Sequence, residues 1–241
     1  MLNNFLFANW NAPKNVKTLI TKRVDVDNKP FNLALHVGDQ QSNVYHNREI
    51  LAKYLPNNPQ WLNQTHTNLV LDLDQPYTTP PNFDAALTHT IGKVCVVMTA
   101  DCLPIFITDI NASFVGAIHA GWRGVETQII ANAINLTKVA PKSILAYIGP
   151  SICAKHFEVG MDVFDIFTKL NKNNTSFFSL KNNNKFECDL IGIAKLQLLN
   201  LGVIENNIYL SGQCTYCNND LFYSYRKEKS TGRFASLIWL E

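Results

Sequence analysis

Apolar positions recur along the chain with two different periods. Across residues 42–55, Val44, Ile50, Leu51 and Leu55 fall at near-helical spacing behind Ser42, a capping residue, so this segment predicts a helix. Across 121–139, Val125, Ile129, Ile130, Ala133 and Ile134 predict one face of a longer amphipathic helix. A third helix is predicted from about Asp189 to Leu201, stopped before Gly202. Between these lie β-rich runs at 94–98, 104–107, 114–119, 144–148 and 235–240. Strands and helices do not alternate with a strict βαβ rhythm. The pattern therefore predicts a mixed α/β fold, an α+β sandwich of mixed sheets flanked by helices, rather than a doubly wound sheet.

No internal repeat and no Gly/Ser/Pro linker divides the 241 residues, so a single domain over 1–241 is expected. The Asn/Lys-rich patches at 171–174 and 181–185 are expected as surface loops. With 21 Lys plus Arg against 19 Asp plus Glu, the net charge of +2 excludes a nucleic-acid binder that acts by a strongly basic field. The apolar run at 94–110 is broken by Asp101, Pro104 and Asp109, so no membrane span is expected. The first residues lack a basic segment followed by an apolar one, and the six cysteines are then expected as reduced thiols of a cytoplasmic protein. Cys95, Cys153 and Cys188 read as small packing residues. Cys214 and Cys217 form a C-x-x-C that suits a redox pair or half a zinc site. With no second C-x-x-C or H-x₃₋₅-H beside it, it reads as two ordinary thiols.

Two segments concentrate the chemistry. Thr99-Ala-Asp-Cys-Leu-Pro places Asp101 and Cys102 at a strand end, and Gly116-Ala-Ile-His-Ala-Gly-Trp-Arg-Gly runs from a strand into a helix. The second junction brings backbone N–H groups and the positive end of the helix near His119, which suits an anion such as phosphate; Arg123 adds a forked donor. A third segment, Trp61-Leu-Asn-Gln-Thr-His-Thr, sets His66 in a polar loop. The separation of His66, Cys102 and His119 is too wide for a local metal motif. Only a fold that converges several strand ends would join them.

The phrases VMTADCLPIF, GAIHAGWRG, IGPSI, HFEVG and SYRKEKSTGRFASLIWL resemble the laccase-domain family, also called peptidoglycan editing factor or multicopper polyphenol oxidoreductase. The resemblance runs from about Asn32 to the C-terminus. It implies a zinc-containing purine nucleoside phosphorylase with adenosine deaminase activity. By position it implies metal ligands at His66 of Gln64-Thr-His66, at Cys102 of Ala-Asp-Cys, and at His119 of His-Ala-Gly-Trp-Arg. Thr65 and Thr67 stand where the family pattern has Val and Gly, and a Thr after His66 restricts the backbone that Gly would leave free.

Two imidazoles and a thiolate leave a zinc ion with residual charge +1 and an open fourth position, the arrangement of catalytic rather than structural sites. Water activated there and delivered to purine C6 would expel ammonia, and Asp101 is the nearest acid/base candidate. Phosphorolysis instead needs anion donors beside the ribose, for which Arg48, Arg123 and Arg233 are candidates. Asn32 and His36 are candidates for the nucleoside hydroxyls or base edge, and Trp122 and Phe234 for stacking. The partners implied are thus a purine nucleoside and phosphate, with a cell-wall precursor as the alternative substrate. Two rival chemistries stay open: a hydrolase editing such precursors, and a metal-free Cys102–His119 nucleophile and base, as in a deamidating toxin of similar fold. Copper binds such ligands tightly, but six His scattered through the chain cannot furnish the centres of a multicopper oxidase.

Overall fold

A strand covered on both faces needs no polar alternation. Val94–Thr99, Leu103–Asp109, Val115–Ala120, Ile144–Ile148 and Phe234–Leu240 are buried at every position. The computed structural model describes residues 4–77, 82–182 and 184–241. In it these strands belong to two sheets packed face to face. One sheet is antiparallel, in the spatial order Phe5–Leu6, Val16–Thr21, Phe234–Leu240, Val94–Thr99. The other has the order Ile208–Leu210, Ile144–Ile148, Leu103–Asp109, Val115–Ala120, Ala85–Thr88, Val70–Asp72. Its four inner strands are antiparallel and each edge strand is parallel to its neighbour.

Three apolar layers follow. Cys95, Val97, Phe234 and Ile238 of the first sheet meet Ala86, Phe106, Val115 and Ala117 of the second. On the far side of the second sheet, Leu103, Ile105 and Ile118 pack on Ile130, Phe167 and Ile193, one from each of the helices Ile129–Thr137, Met161–Leu170 and Leu190–Asn200. On the far side of the first, Val94, Val96 and Leu237 pack on Phe31, Leu33 and Leu51. Alternate residues of one strand thus enter different layers. The mixed α/β sandwich expected from the sequence is the fold observed, and no helix among the described residues is long and apolar enough to cross a membrane.

Several local expectations are corrected. The first long helix is Gln41–Ala52, with Gln40 at its N-cap and no side-chain cap, so Ser42 lies inside its first turn. The helix expected over 121–139 is two, Trp122–Glu126 and Ile129–Thr137, separated by a left-handed Gln128 (φ 70°). The turn lets Val125, Ile129 and Ile130 all reach one layer. The 171–174 patch is no solvated loop: it enters a 3₁₀ turn, Lys172–Phe177, and Asn174 is buried with its Nδ2 donating to the Phe167 carbonyl at 2.8 Å. The 181–185 patch falls largely on a hairpin of Phe178–Asn182 and Lys185–Cys188, with Asn183 outside the described residues. Cys95 and Cys188 are packing residues as expected, and burial pushes the Cys188 thiol up to about 12. Cys153 is not one of them; it is half-buried, with its Sγ 3.3 Å from His156 Nδ1.

Candidate metal centre

Where the chain passes from one sheet to the other, between Val94–Thr99 and Leu103–Asp109, it leaves Asp101 and Cys102 in a tight crossover, and Asp101 takes φ 93°. His119 is the penultimate residue of the adjacent Val115–Ala120 strand, paired with Pro104. His66 comes from the loop preceding Val70–Asp72 and sits at φ 62°. That loop is pinned by Gln64, whose Nε2 donates to the Met98 carbonyl (2.8 Å) and whose Oε1 accepts from the Met98 amide (2.7 Å). Three strand ends therefore converge. The imidazole nitrogens of His66 and His119 and the Cys102 sulfur all lie within 4.8 Å of one another.

A residue that the sequence reading passed over holds this trio together. Asp84, fully buried at the head of Ala85–Thr88, accepts from the amides of Thr65 (3.3 Å), His66 (3.0 Å) and Thr67 (2.6 Å). It also accepts from the Thr67 hydroxyl (2.8 Å) and from His119 Nδ1 (2.7 Å), which leaves His119 Nε2 as the nitrogen available to a metal. Thr67 is thus accommodated by its hydroxyl, while the left-handed residue is His66 itself. Gly121 closes the other side. A Cβ there would come 2.7 Å from His66 Cδ2 and 3.0 Å from Cys102 Sγ.

The electrostatics match the geometry. Burial alone would raise the Cys102 thiol, but the His119 charge and hydrogen bonds from both histidines hold it down to about 6. Burial would lower His119, yet the Cys102 thiolate and Asp84 raise it to about 9. Each group thus favours the charged form of the other. For Asp84, burial opposes ionisation, and the bonds from His119 and Thr67 overrule it and keep the carboxyl below its usual value. One thiolate and two imidazoles, one of them oriented by a buried carboxylate, are a donor set that fits a single divalent ion of zinc type.

The trio opens into a cavity of about 500 Å³. His36, Arg123, Arg233 and Trp122 line it, as does Asp101. Both Asp101 oxygens are engaged, however: Oδ1 accepts from the Thr215 hydroxyl and Oδ2 from the Arg226 amide, each at 2.6 Å, so Asp101 clamps two segments to the cavity wall. Three of the candidates lie outside the cavity lining. Asn32 is buried behind the wall, its amide bonded to Ala34, Asp39 and the Arg233 backbone. Arg48 donates through Nε and an η nitrogen to the Leu33 carbonyl and stacks 3.9 Å over Trp61, outside the lining. Phe234 is fully buried between the sheets, against Phe222. The expected helix N-terminus belongs to the five-residue Trp122–Glu126, too short for much of a dipole. In their place, Phe157, Tyr225 and Arg226 line the cavity. Their sequence signal lies in the HFEVG and SYRKEKSTGRFASLIWL phrases that carry the family resemblance.

A family model described as multi-copper polyphenol oxidoreductase laccase matches residues 18–241. A purine nucleoside phosphorylase of Haemophilus influenzae is 39% identical over 242 residues, covering 97% of this chain and 98% of that protein. The purine nucleoside phosphorylase YfiH of Escherichia coli is 36% identical over 246 residues, 99% and 100% of the two chains. Among solved structures, the Neisseria meningitidis protein NMB0706 is 42% identical with a TM-score of 0.90, covering 99% of each chain. YlmD of Geobacillus stearothermophilus is 28% identical with a TM-score of 0.87, covering 95% of this chain and 93% of that one.

Proposed function

The chain belongs to the multi-copper polyphenol oxidoreductase laccase family, and from that premise we propose that it is a zinc-dependent purine nucleoside enzyme. It cleaves adenosine- and inosine-type nucleosides with phosphate and deaminates adenosine to inosine. The observation that carries the reading is the convergence of His66, Cys102 and His119 at the floor of a cavity whose walls bear arginines and aromatic rings. The two relatives named as phosphorylases, matched end to end, support the same reaction class.

His66, Cys102 and His119 would hold the ion. A zinc ion held there would supply Lewis-acid chemistry, to activate water or polarise a purine substituent. The remaining work falls to this chain's own groups. Asp84 fixes His119 by its Nδ1 and the 65–67 loop by three amides, so the donors need no rearrangement. A cavity of about 500 Å³ is within the range for small ligands, and Trp122, Phe157 and Tyr225 offer faces for a purine. Arg123, Arg226 and Arg233 offer donors for phosphate, which must attack ribose C1′ as the base leaves. Burial lowers the pKa of Arg233, and an anion there would meet a poorly hydrated guanidinium. Burial and the Arg233 charge push the His36 pKa below its usual value, which suits the ring to hydrogen-bond a hydroxyl or base edge rather than to hold phosphate.

Multicopper chemistry lacks its imidazoles. His46 is bonded to Asp27 at the surface and His89 to the Ser113 carbonyl, away from the cavity. One second reading has an observation behind it: the thiolate–imidazolium character of Cys102 and His119 also suits a metal-free nucleophile and its base. A nucleophile pair has no use for the second imidazole, His66, 3.7 Å from the same sulfur. The reading is tested by incubating metal-quantified protein with adenosine, with and without phosphate, and separating the products. Free adenine only with phosphate, and inosine in its absence, are the expected results. Neither product from zinc-loaded protein would overturn the nucleoside reading in favour of a precursor hydrolase.

A further inference from the structure

A second group of metal donors stands apart from the cavity trio. Cys153 and His156 form a C-x-x-H in the loop after the Ile144–Ile148 strand, and Cys214 and Cys217 form the C-x-x-C. The two half-sites are brought together by a parallel bridge between Ser151 and Cys214. Three sulfurs and one imidazole nitrogen then lie within 4.8 Å of one another. His156 Nδ1 is 3.3 Å from Cys153 Sγ and 3.5 Å from Cys217 Sγ. For zinc bonds of about 2.3 Å to sulfur and about 2.0 Å to nitrogen, a tetrahedron has S···N edges of about 3.5 Å. Two of the three sulfurs, those of Cys153 and Cys217, already stand at about that spacing from the imidazole nitrogen.

The surroundings serve the same geometry. The Cys153 amide donates to Cys214 Sγ at 3.3 Å, a bond that favours thiolate. The His156 ring is stacked on Tyr216, with centroids 4.1 Å apart and planes 13° apart, which fixes the imidazole. We propose that Cys153, His156, Cys214 and Cys217 bind a structural zinc ion that staples the 151–157 loop to the 213–217 turn. Four protein donors close the coordination sphere, unlike the three of the cavity, so this ion holds structure rather than turning over substrate.

What it holds is one wall of the cavity. Ile152 donates to the Asp101 carbonyl (3.0 Å), Thr215 to the Asp101 carboxylate (2.6 Å), and the Arg226 guanidinium to the Glu158 carbonyl (2.9 Å). Ile152, Phe157 and Arg226 all line the cavity. The staple thus fixes the side that faces the metal trio, and it does so whatever reaction the cavity performs.

The test starts from the Cys102→Ala chain, which lacks the cavity's thiolate, purified under reducing conditions. Mass-spectrometric metal analysis is expected to find about one zinc per chain, and cobalt exchanged for it to give a charge-transfer band about three times that of a single thiolate. Adding His156→Ala or Cys217→Ser, the latter at an exposed position, is expected to lower bound zinc about tenfold or more. A Cys102→Ala chain that binds no zinc, or that carries a Cys214–Cys217 or Cys153–Cys214 disulfide instead, would overturn the proposal. This first measurement leaves the cluster itself unaltered, so misfolding of a cluster variant cannot mimic the result. The cavity's own thiolate is already gone, so the outcome stands whether or not the nucleoside reading holds.

Discussion

Asp84 accepts hydrogen bonds from three consecutive amides, one hydroxyl and one imidazole, so Asp84→Asn keeps the volume but turns one acceptor into a donor facing donors. The variant is expected to bind metal at the cavity about 10–100-fold more weakly, read by competition with a chelator. Unchanged affinity would remove Asp84 from the account. Gly121→Ala tests the packing of the trio from the other side, because its methyl would meet the His66 ring and the Cys102 sulfur. It is expected to lose most turnover while thermal stability changes little. At this scale the sequence made the three donors legible through their motifs. Asp84 was not legible, since one Asp ahead of Ala-Ala-Leu has no pattern of its own. Asn32 and Arg48 misled because their polar groups are spent on backbone carbonyls and amides that only the folded chain brings within reach.

Secondary elements were legible to the degree that both their faces are covered. The strands around 94–120 and 234–240 read as unbroken apolar runs for that reason, whereas Val16–Thr21, interrupted by Lys17, and the four-residue Ala85–Thr88 carried too little signal. Helix ends were less legible. No side chain caps Gln41–Ala52, and the turn at Gln128 obeys the shape of the core rather than any local rule. Between elements, Asp74 ties the end of one edge strand to the 88–93 turn. Its carboxylate accepts from the hydroxyls of Thr88 (2.8 Å) and Thr90 (2.7 Å), the His89 amide (2.7 Å) and Lys93 Nζ (2.9 Å). Burial opposes its ionisation, but these bonds win and hold the carboxyl far below its usual value. A carboxyl depressed on folding contributes stability above its unfolded pKa, about 3.9, and loses it as pH falls towards the folded value. Asp74→Ala is therefore expected to destabilise the protein by about 1–3 kcal/mol at pH 7, with the gap to the parent shrinking below about pH 4 in denaturant melts. A gap that stayed constant down to about pH 2, well below the unfolded pKa, would contradict this.

Across the whole molecule, the cavity lies where the chain crosses between two sheets, so each sheet contributes a wall and neither alone could form the site. Fold class was legible because layers of helix and sheet follow from hydrophobic period. The pairing of the C-x-x-H with the C-x-x-C was not, since 57 residues lie between His156 and Cys214. The His66, Cys102 and His119 trio at one end of the cavity and the arginines along its walls predict separable effects. Arg233→Ala is expected to raise the KM for phosphate about tenfold while that for the nucleoside moves little, since a lost charged hydrogen bond is worth about 1.5 kcal/mol. Equal changes in both would place Arg233 outside the phosphate subsite. Nucleoside turnover is expected to depend on metal at His66, Cys102 and His119. The most direct test strips the protein with a chelator, adds zinc back in steps, and follows phosphate-dependent release of purine base from inosine. The account predicts negligible turnover when stripped, recovery as zinc fills the cavity, and none at any zinc level in Cys102→Ala. Full activity in the stripped protein, abolished only by alkylation of Cys102, would contradict it and leave the thiolate as the nucleophile.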